Sequence, residues 1–212
     1  QNGGQLAGFR NQLLNPYHSV NQRGQGVITV GGAVQAYYTG SDRWVVMPTV
    51  SNTSVTTRVY PGSVPVNLNT PSRAALYASA DGSSGGTFNM GQFIELPEGS
   101  LGAFQPGTEW TLTFFIQAFT SFDIDANLIL SGGSSLSSTA ALATTNGPIT
   151  LAGTGYQKCV LNFTIPNDGS WAPSAQAPCL LVRLNIANGS AAREVWLGSA
   201  QLEPGPVATP FE

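Results

Sequence analysis

Residues 195–212 constrain the fold more than any other stretch. Trp196, Gly198, Ala200 and Leu202 share one parity of an extended chain; Val195, Leu197, Ser199 and Gln201 share the other. A strand sends successive side chains to opposite faces, so apolar groups on both parities demand cover on both. That pattern belongs to a strand in the middle of a sheet. Glu203, Pro204, Gly205 and Pro206 then stop it, because proline has no N–H for a ladder and glycine supplies unusual dihedrals. The spacing predicts a central strand with a tight exit.

The rest of the chain supplies its neighbours. The clearest is 110–119, with Trp110, Leu112, Phe114, Ile116 and Ala118 on one face and Thr111, Thr113, Phe115, Gln117 and Phe119 on the other. Residues 123–130 place Ile124, Ala126, Leu128 and Leu130 inward and Asp123, Asp125 and Asn127 outward. Cys159, Leu161, Phe163 and Ile165 form one inward set, and Leu180, Val182, Leu184 and Ile186 another. Shorter strands are expected at 26–30, 41–47, 55–60 and 88–96; 73–80 reads as a strand, although its alanines also suit a helix. Residues 131–147 read as a loop or weak strand. Pro16 forbids a helix through 9–24, which is expected to lie extended against the sheet with Leu14 and Tyr17 as anchors. The sum is roughly eight to eleven short strands divided by Gly, Pro and Asn turns, which predicts an all-β antiparallel sandwich of jelly-roll topology. Residues 1–8 read as an arm or linker and 9–212 as one domain.

Composition narrows the function. Charged residues are 9% of the 212, against a usual ~25%. Eight Lys and Arg are too few to meet a nucleic-acid backbone or an anionic membrane surface. No apolar run is long enough to span a bilayer. A polar, nearly uncharged surface suits glycan contact or packing within a large assembly.

No catalytic signature stands out. His18 is the single histidine, no Gly-x-Ser-x-Gly elbow surrounds a serine, and no His or Cys spacing fits zinc. The expectation is therefore a protein that is not an enzyme and uses no cofactor. His18 reads as a packing residue. Asp123 and Asp125 are close enough for glycosidase carboxylates, but both sit at the exposed start of one strand; with Asn127 they offer a weak calcium alternative. If the strands at 110, 123, 159 and 180 share a sheet, its outer face gathers Phe115, Gln117, Asp125, Asn127, Arg183 and Asn185. Flat rings with amides and a guanidinium are what a sugar requires. The competing reading is that Phe115 and Phe119 pack against a neighbouring subunit or an overlying N-terminal segment. In the same arrangement Cys159 and Cys179 face opposite ways, so no disulfide is expected.

Several segments resemble a family of domains common in bacteriophage tail fibres and related virion proteins. Asn11, Leu13, Asn15 and Gln22–Arg23–Gly24 resemble its opening "N-x-L-x-N-x-x-F-x-x-x-Q-R-G", and Asp42–Arg43–Trp44 its "D-R-W". Residues 110–117 resemble its "T-L-S-F-W-x-R" strand, with Ile116 in place of the second aromatic and Gln117 in place of Arg. Residues 157–166 resemble its "W-Q-x-x-x-x-x-F-T-I-P", and 198–212 its closing "G-x-Q-L-E-x-G-x-x-A-T-P-F-E". The resemblance implies a jelly-roll sandwich akin to carbohydrate-binding modules. It implies assembly in the bacterial host cytoplasm, display on a virion, association with other virion proteins and homotrimer formation, with no catalytic residues. A tail-fibre or receptor-binding module contacting host surface glycans is the leading expectation. Capsid decoration (a cement protein) or fibre assembly without a ligand is the alternative.

Overall fold

The structure, a computed structural model, describes residues 11–14, 18, 28–30, 37–39, 41–48, 54–65, 73–80, 88–96, 102–131, 143–144, 149–167, 179–186 and 193–211. The described strands, in chain order, are β1 (Ile28–Val30), β2 (Tyr37–Tyr38), β3 (Trp44–Pro48), β4 (Val55–Tyr60), β5 (Ala75–Ala80), β6 (Phe88–Glu95) and β7 (Glu109–Ala118). They continue with β8 (Ser121–Ser131), β9 (Ala143–Thr144), β10 (Ile149–Ala152), β11 (Gln157–Thr164), β12 (Cys179–Ile186) and β13 (Arg193–Pro204). The first sheet runs β1-β4-β5-β13-β7-β11; the second runs β10-β8-β12-β6-β3-β2, with β9 on β8. Every pairing is antiparallel. Two such sheets, face to face over one apolar core, make the expected jelly-roll sandwich. Among the described residues no helix is long and apolar enough to cross a membrane.

The alternation of the sequence becomes the core. Leu112, Phe114 and Ile116 from β7 meet Ile124, Ala126 and Leu128 from β8 and Leu180, Val182 and Leu184 from β12. Cys159, Phe163 and Ile165 join them. The alanine-rich segment is the strand β5, held between β4 and β13, with Ala78 and Ala80 in the core. Tertiary pairing overrides alanine's helix preference there.

β13 is central, between β5 and β7, as its two-sided apolar pattern required. Its parity differs from the simple reading. The register with β7 shifts between Leu197 and Ala200, so Val195 and Leu197 face the core before the shift and Ala200 and Leu202 after it. A β-bulge inserts a residue and resets which side chains face inward. Trp196 is thereby turned outward and only half-buried.

Past Leu197, β5 no longer pairs with β13, and residues 11–14 take up that free edge. Gln12 N–H donates to Leu202 O at 2.8 Å. The Asn11 side chain accepts from Leu202 N–H at 3.1 Å and donates to Ala200 O at 3.3 Å. Two residues on, Gln92 from β6 grips both backbone groups of Leu14, accepting from its N–H at 2.5 Å and donating to its O at 2.6 Å. The segment is thus stapled to one sheet by Asn11 and to the other by Gln92. Its apolar anchor is Leu13, 3% exposed; Leu14, the expected anchor, is 54% exposed. Tyr17 lies outside the described residues, as do the expected arm at 1–8 and most of 131–147. His18 is buried as expected, 2.9 Å from Ser41 Oγ and with its ring 5.1 Å from that of Trp44.

The last residues fold back over the first sheet's outer face. Glu203, buried, accepts from Thr209 N–H at 2.8 Å and from its hydroxyl at 2.5 Å. Gln201 donates to Thr209 Oγ1 at 3.2 Å, and Gly205 N–H donates to Glu109 O at 2.8 Å. Phe211 lays its ring 5.3 Å from that of Phe115. Gly198 lets Val64 and Tyr156 approach β13, because a Cβ there would sit 3.1 Å from Val64 Cγ2 and 3.4 Å from Tyr156 Cε1. The closing "Q-L-E-x-G-x-x-A-T-P-F" pattern is therefore a clasp, each polar letter bonded to another.

Candidate functional site

The six residues expected on one face divide between two. β7 and β11 belong to the first sheet, β8 and β12 to the second. Phe115 and Gln117 therefore stand on the outer face of the first sheet, while Asp125, Asn127, Arg183 and Asn185 stand on that of the second. The condition that placed them together, four strands in one sheet, does not hold. Phe115 is also closed, 6% exposed beneath Phe211. The segment that covers it is the C-terminal one that carries Phe211, not the N-terminal segment expected.

The other four do converge. Arg183 lies opposite Asn127 on one side and Gly91 on the other. Asn185 lies opposite Asp125 and Asn89. Directly opposed residues sit ~5 Å apart across antiparallel strands. β8, β12 and β6 thus lay five polar side chains around one glycine. Asn89 and Asn127 are buried, and Asp125, Arg183 and Asn185 are half-buried. Burial pulls the Arg183 guanidinium below its ordinary pKa, and the neighbouring Asp125 carboxylate opposes that shift. Asn89 Oδ1 and Arg183 Nε have no hydrogen-bond partner among the described residues. Buried polar atoms normally find partners, and those that lack one call for an explanation.

Gly91 keeps the centre of this face flat. A Cβ there would meet Val182 O at 2.4 Å and Leu181 Cδ1 at 3.0 Å. Beside the polar group lies a small apolar cluster of Val45, Met47, Ile129 and Leu181, with Phe93 against it. Leu181, 1% exposed, and Phe115, 6% exposed, face away from the core yet offer no open apolar surface. Asp123 sits at the rim, its Oδ1 accepting from Thr150 at 2.6 Å. No cluster of three or more His, Cys, Asp or Glu occurs among the described residues.

Sequence reasoning missed the aromatic residues of the opposite face. Tyr60, Tyr77 and Trp196 come together on the first sheet, with the Tyr60 and Trp196 ring centroids 4.6 Å apart and Tyr77 edge-on to both. Along β4 Tyr60 alternates with the buried Val55 and Val59 and so faces outward, but the bulge that turns Trp196 toward it leaves no mark in the sequence pattern.

No family model matches the sequence, and no curated protein is detectably similar to it. Solved structures share its fold. A Stig cyclase, Fisc, from Fischerella sp. TAU is 13% identical, with a TM-score of 0.57 over 94% of this chain and 98% of its own. The arabinose-bound α-L-arabinofuranosidase MgGH51 is 13% identical, with a TM-score of 0.55 over 94% of this chain and 27% of its own. The enzymatically active domain of tailspike protein 4 from bacteriophage CBA120 is 14% identical, with a TM-score of 0.52 over 92% of this chain and 21% of its own. The chain thus spans about a fifth of the tailspike chain. The likeness is one of fold, a jelly-roll β-sandwich, and fold alone does not set chemistry.

Proposed function

We propose that the chain is a glycan-binding module of a bacteriophage virion surface protein, a tail fibre or receptor-binding protein, and that it binds its ligand without transforming it. The observation that carries the reading is the polar group on the second sheet. Asp125, Asn127, Arg183 and Asn185, with Asn89, present carboxylate, amide and guanidinium groups from three adjacent strands. These pair with vicinal hydroxyls in both donor and acceptor senses. The flat floor at Gly91 suits the C–H face of a sugar, and the buried cluster of Val45, Met47, Ile129 and Leu181 holds the strands beneath it. The phage assignment is supported by the ordered motifs from Asn11 to Phe211 and by the fold shared with the tailspike domain. On a homotrimer, weak single sites would gain avidity without new contacts.

The test is binding of the purified chain to an array of bacterial lipopolysaccharides and capsular polysaccharides, alongside Arg183→Ala and Asn185→Ala. Arg183→Ala is expected to weaken binding about ten-fold or more, the worth of a charge-assisted hydrogen bond. Its melting curve should stay near that of wild type. Binding by wild type and both variants alike moves the site off this face. No binding to glycans or host cells favours the decoration or assembly role.

A further inference from the structure

We infer that the outer face of the first sheet carries a second carbohydrate platform, built on Trp196, Tyr60, Tyr77 and Phe119. It shares no residue with the polar group on the second sheet and stands on the opposite side of the sandwich.

The platform follows from register. Arg58 on β4 lies opposite Tyr77 on β5, Tyr77 opposite Trp196 on β13, and Trp196 opposite Gln117 on β7. Tyr60, two residues beyond Arg58, and Phe119, two beyond Gln117, flank that row. The Tyr60 and Trp196 rings are 32° from parallel at 4.6 Å. Tyr77 meets Trp196 edge-on at 5.2 Å, and Phe119 meets it at 6.2 Å. Phe119 is 53% exposed and the other three rings are half-buried. Aromatic rings so grouped on a solvent-facing sheet surface are not needed by the core, which β13 already fills with Val195, Leu197, Ala200 and Leu202.

The rim decides the occupant. Arg58 stands 4.7 Å over the Tyr60 ring, and Tyr77 donates its hydroxyl to Glu194 at 3.2 Å. Burial, with the Glu194 carboxylate, pushes the Tyr77 phenol up, so it stays a donor at neutral pH. A cation, an anion and the Gln117 amide therefore lie within or beside the row of rings. Protein interfaces favour rings and arginine but deplete glutamate at their centres. Here the buried Trp196 Nε1 and Arg58 Nε have no hydrogen-bond partner among the described residues, which hydroxyls would supply. A pyranose instead asks for this mixture: ring faces for its C–H surface, with donors and acceptors at the edge for its hydroxyls. The occupant is a sugar ring of a glycan chain rather than a second copy of the protein.

The experiment is native affinity electrophoresis of the whole chain through galactan, arabinan, xylan and bacterial lipopolysaccharide, with tryptophan emission and sedimentation velocity in parallel. Variants are Trp196→Ala, Phe119→Ala and Arg183→Ala. Phe119→Ala removes an exposed ring and is expected to melt like wild type, which keeps the test sound if Trp196→Ala fails to fold. The platform predicts that at least one polysaccharide retards wild type and Arg183→Ala. It predicts that Phe119→Ala and Trp196→Ala lose about ten-fold in affinity, the scale of one stacked ring. Emission should shift on binding, since Trp196 is half-buried on this face while Trp44 and Trp110 are each 1% exposed; the fourth tryptophan, Trp171, lies outside the described residues. Retardation unchanged in both aromatic variants overturns the platform, and if Arg183→Ala alone loses it, the second-sheet site stands by itself. Retardation of wild type by none of the four probes also overturns it. An aromatic variant that alters sedimentation but not retardation overturns it in favour of a contact between copies.

Discussion

The first sheet closes much of its outer face with its own chain: the clasp of Gln201, Glu203 and Thr209 folds residues 204–211 back and sets Phe211 on Phe115. What remains open there is aromatic. The outer face of the second sheet holds instead a polar group, in which Asn89 Oδ1 and Arg183 Nε lack partners among the described residues. The clasp spends its hydrogen bonds on itself, whereas the polar group keeps some unspent. A self-satisfied surface adds stability, whereas an unsatisfied one gains most from a ligand. The contrast fits a folding role for the clasp and, on the proposed function, ligand contact for the polar group.

Removal of residues 195–212 is the most severe way to break the contrast. It deletes the strand between β5 and β7, four core side chains and the edge that Asn11 and Gln12 grip. Burial of each leucine alone is worth about 2 kcal/mol, and total domain stability is only about 5–15 kcal/mol. The truncated chain is expected to lack a cooperative melt by calorimetry; a normal transition would show that β13 is dispensable.

Gly91→Ala strikes the second sheet alone. Its Cβ would lie 2.4 Å from a backbone oxygen, so β6 and β12 must separate. The expected loss is about 1–3 kcal/mol, as for overpacking, read as a lower denaturant midpoint, with glycan binding reduced as well. A stable, binding-competent variant would show that the flat floor is not required.

Acid tests the segment that joins the two sheets. Burial lowers the His18 pKa to about 3, against an ordinary 6.5. In the unfolded chain His18 takes up a proton near 6.5; in the folded chain it stays neutral to about 3. Its contribution is therefore complete above pH 6.5 and is lost as pH falls toward 3. By pH 5 the loss is about 2 kcal/mol. Melts of wild type and His18→Asn from pH 7 to pH 4 should converge if the assignment is right; parallel curves would place the acid sensitivity elsewhere.

Glu203→Gln probes the clasp with the smallest expected effect. It keeps the shape and removes the charge behind two hydrogen bonds, at a cost of about 1–2 kcal/mol. The expected drop in melting temperature is about 2–8 °C, with glycan binding by the second-sheet face unchanged. Loss of that binding would couple the two faces.

Strand existence was legible because each inward set obeyed a period of two, as in β7, β8, β11 and β12. Sheet membership was not. β7 and β8 alternate in the same way, yet they lie in different sheets, and no local pattern records where a chain crosses between layers. That one uncertainty split the expected ligand face. The bulge in β13 hid the rest: the sequence pattern put Trp196 with Ala200 and Leu202, and one register shift separated them. The polar group was half legible, since Asp125, Asn127, Arg183 and Asn185 were all correctly read as facing out. Asn89 and Gly91 were missed because β6 is buried on both faces along most of its length and shows little alternation.

The two thiols carry a last consequence. Cys159 points into the core from the first sheet, where burial pushes its pKa up to about 11. Cys179 stands on the second sheet, its pKa raised by burial and by Glu95. Both are free. The Cys159 thiol, so far above neutral pH, supplies almost no thiolate, the form that reacts. The fold therefore needs no oxidant to form and offers no bond for a reductant to cut. Transfer into reducing surroundings leaves its covalent structure unchanged.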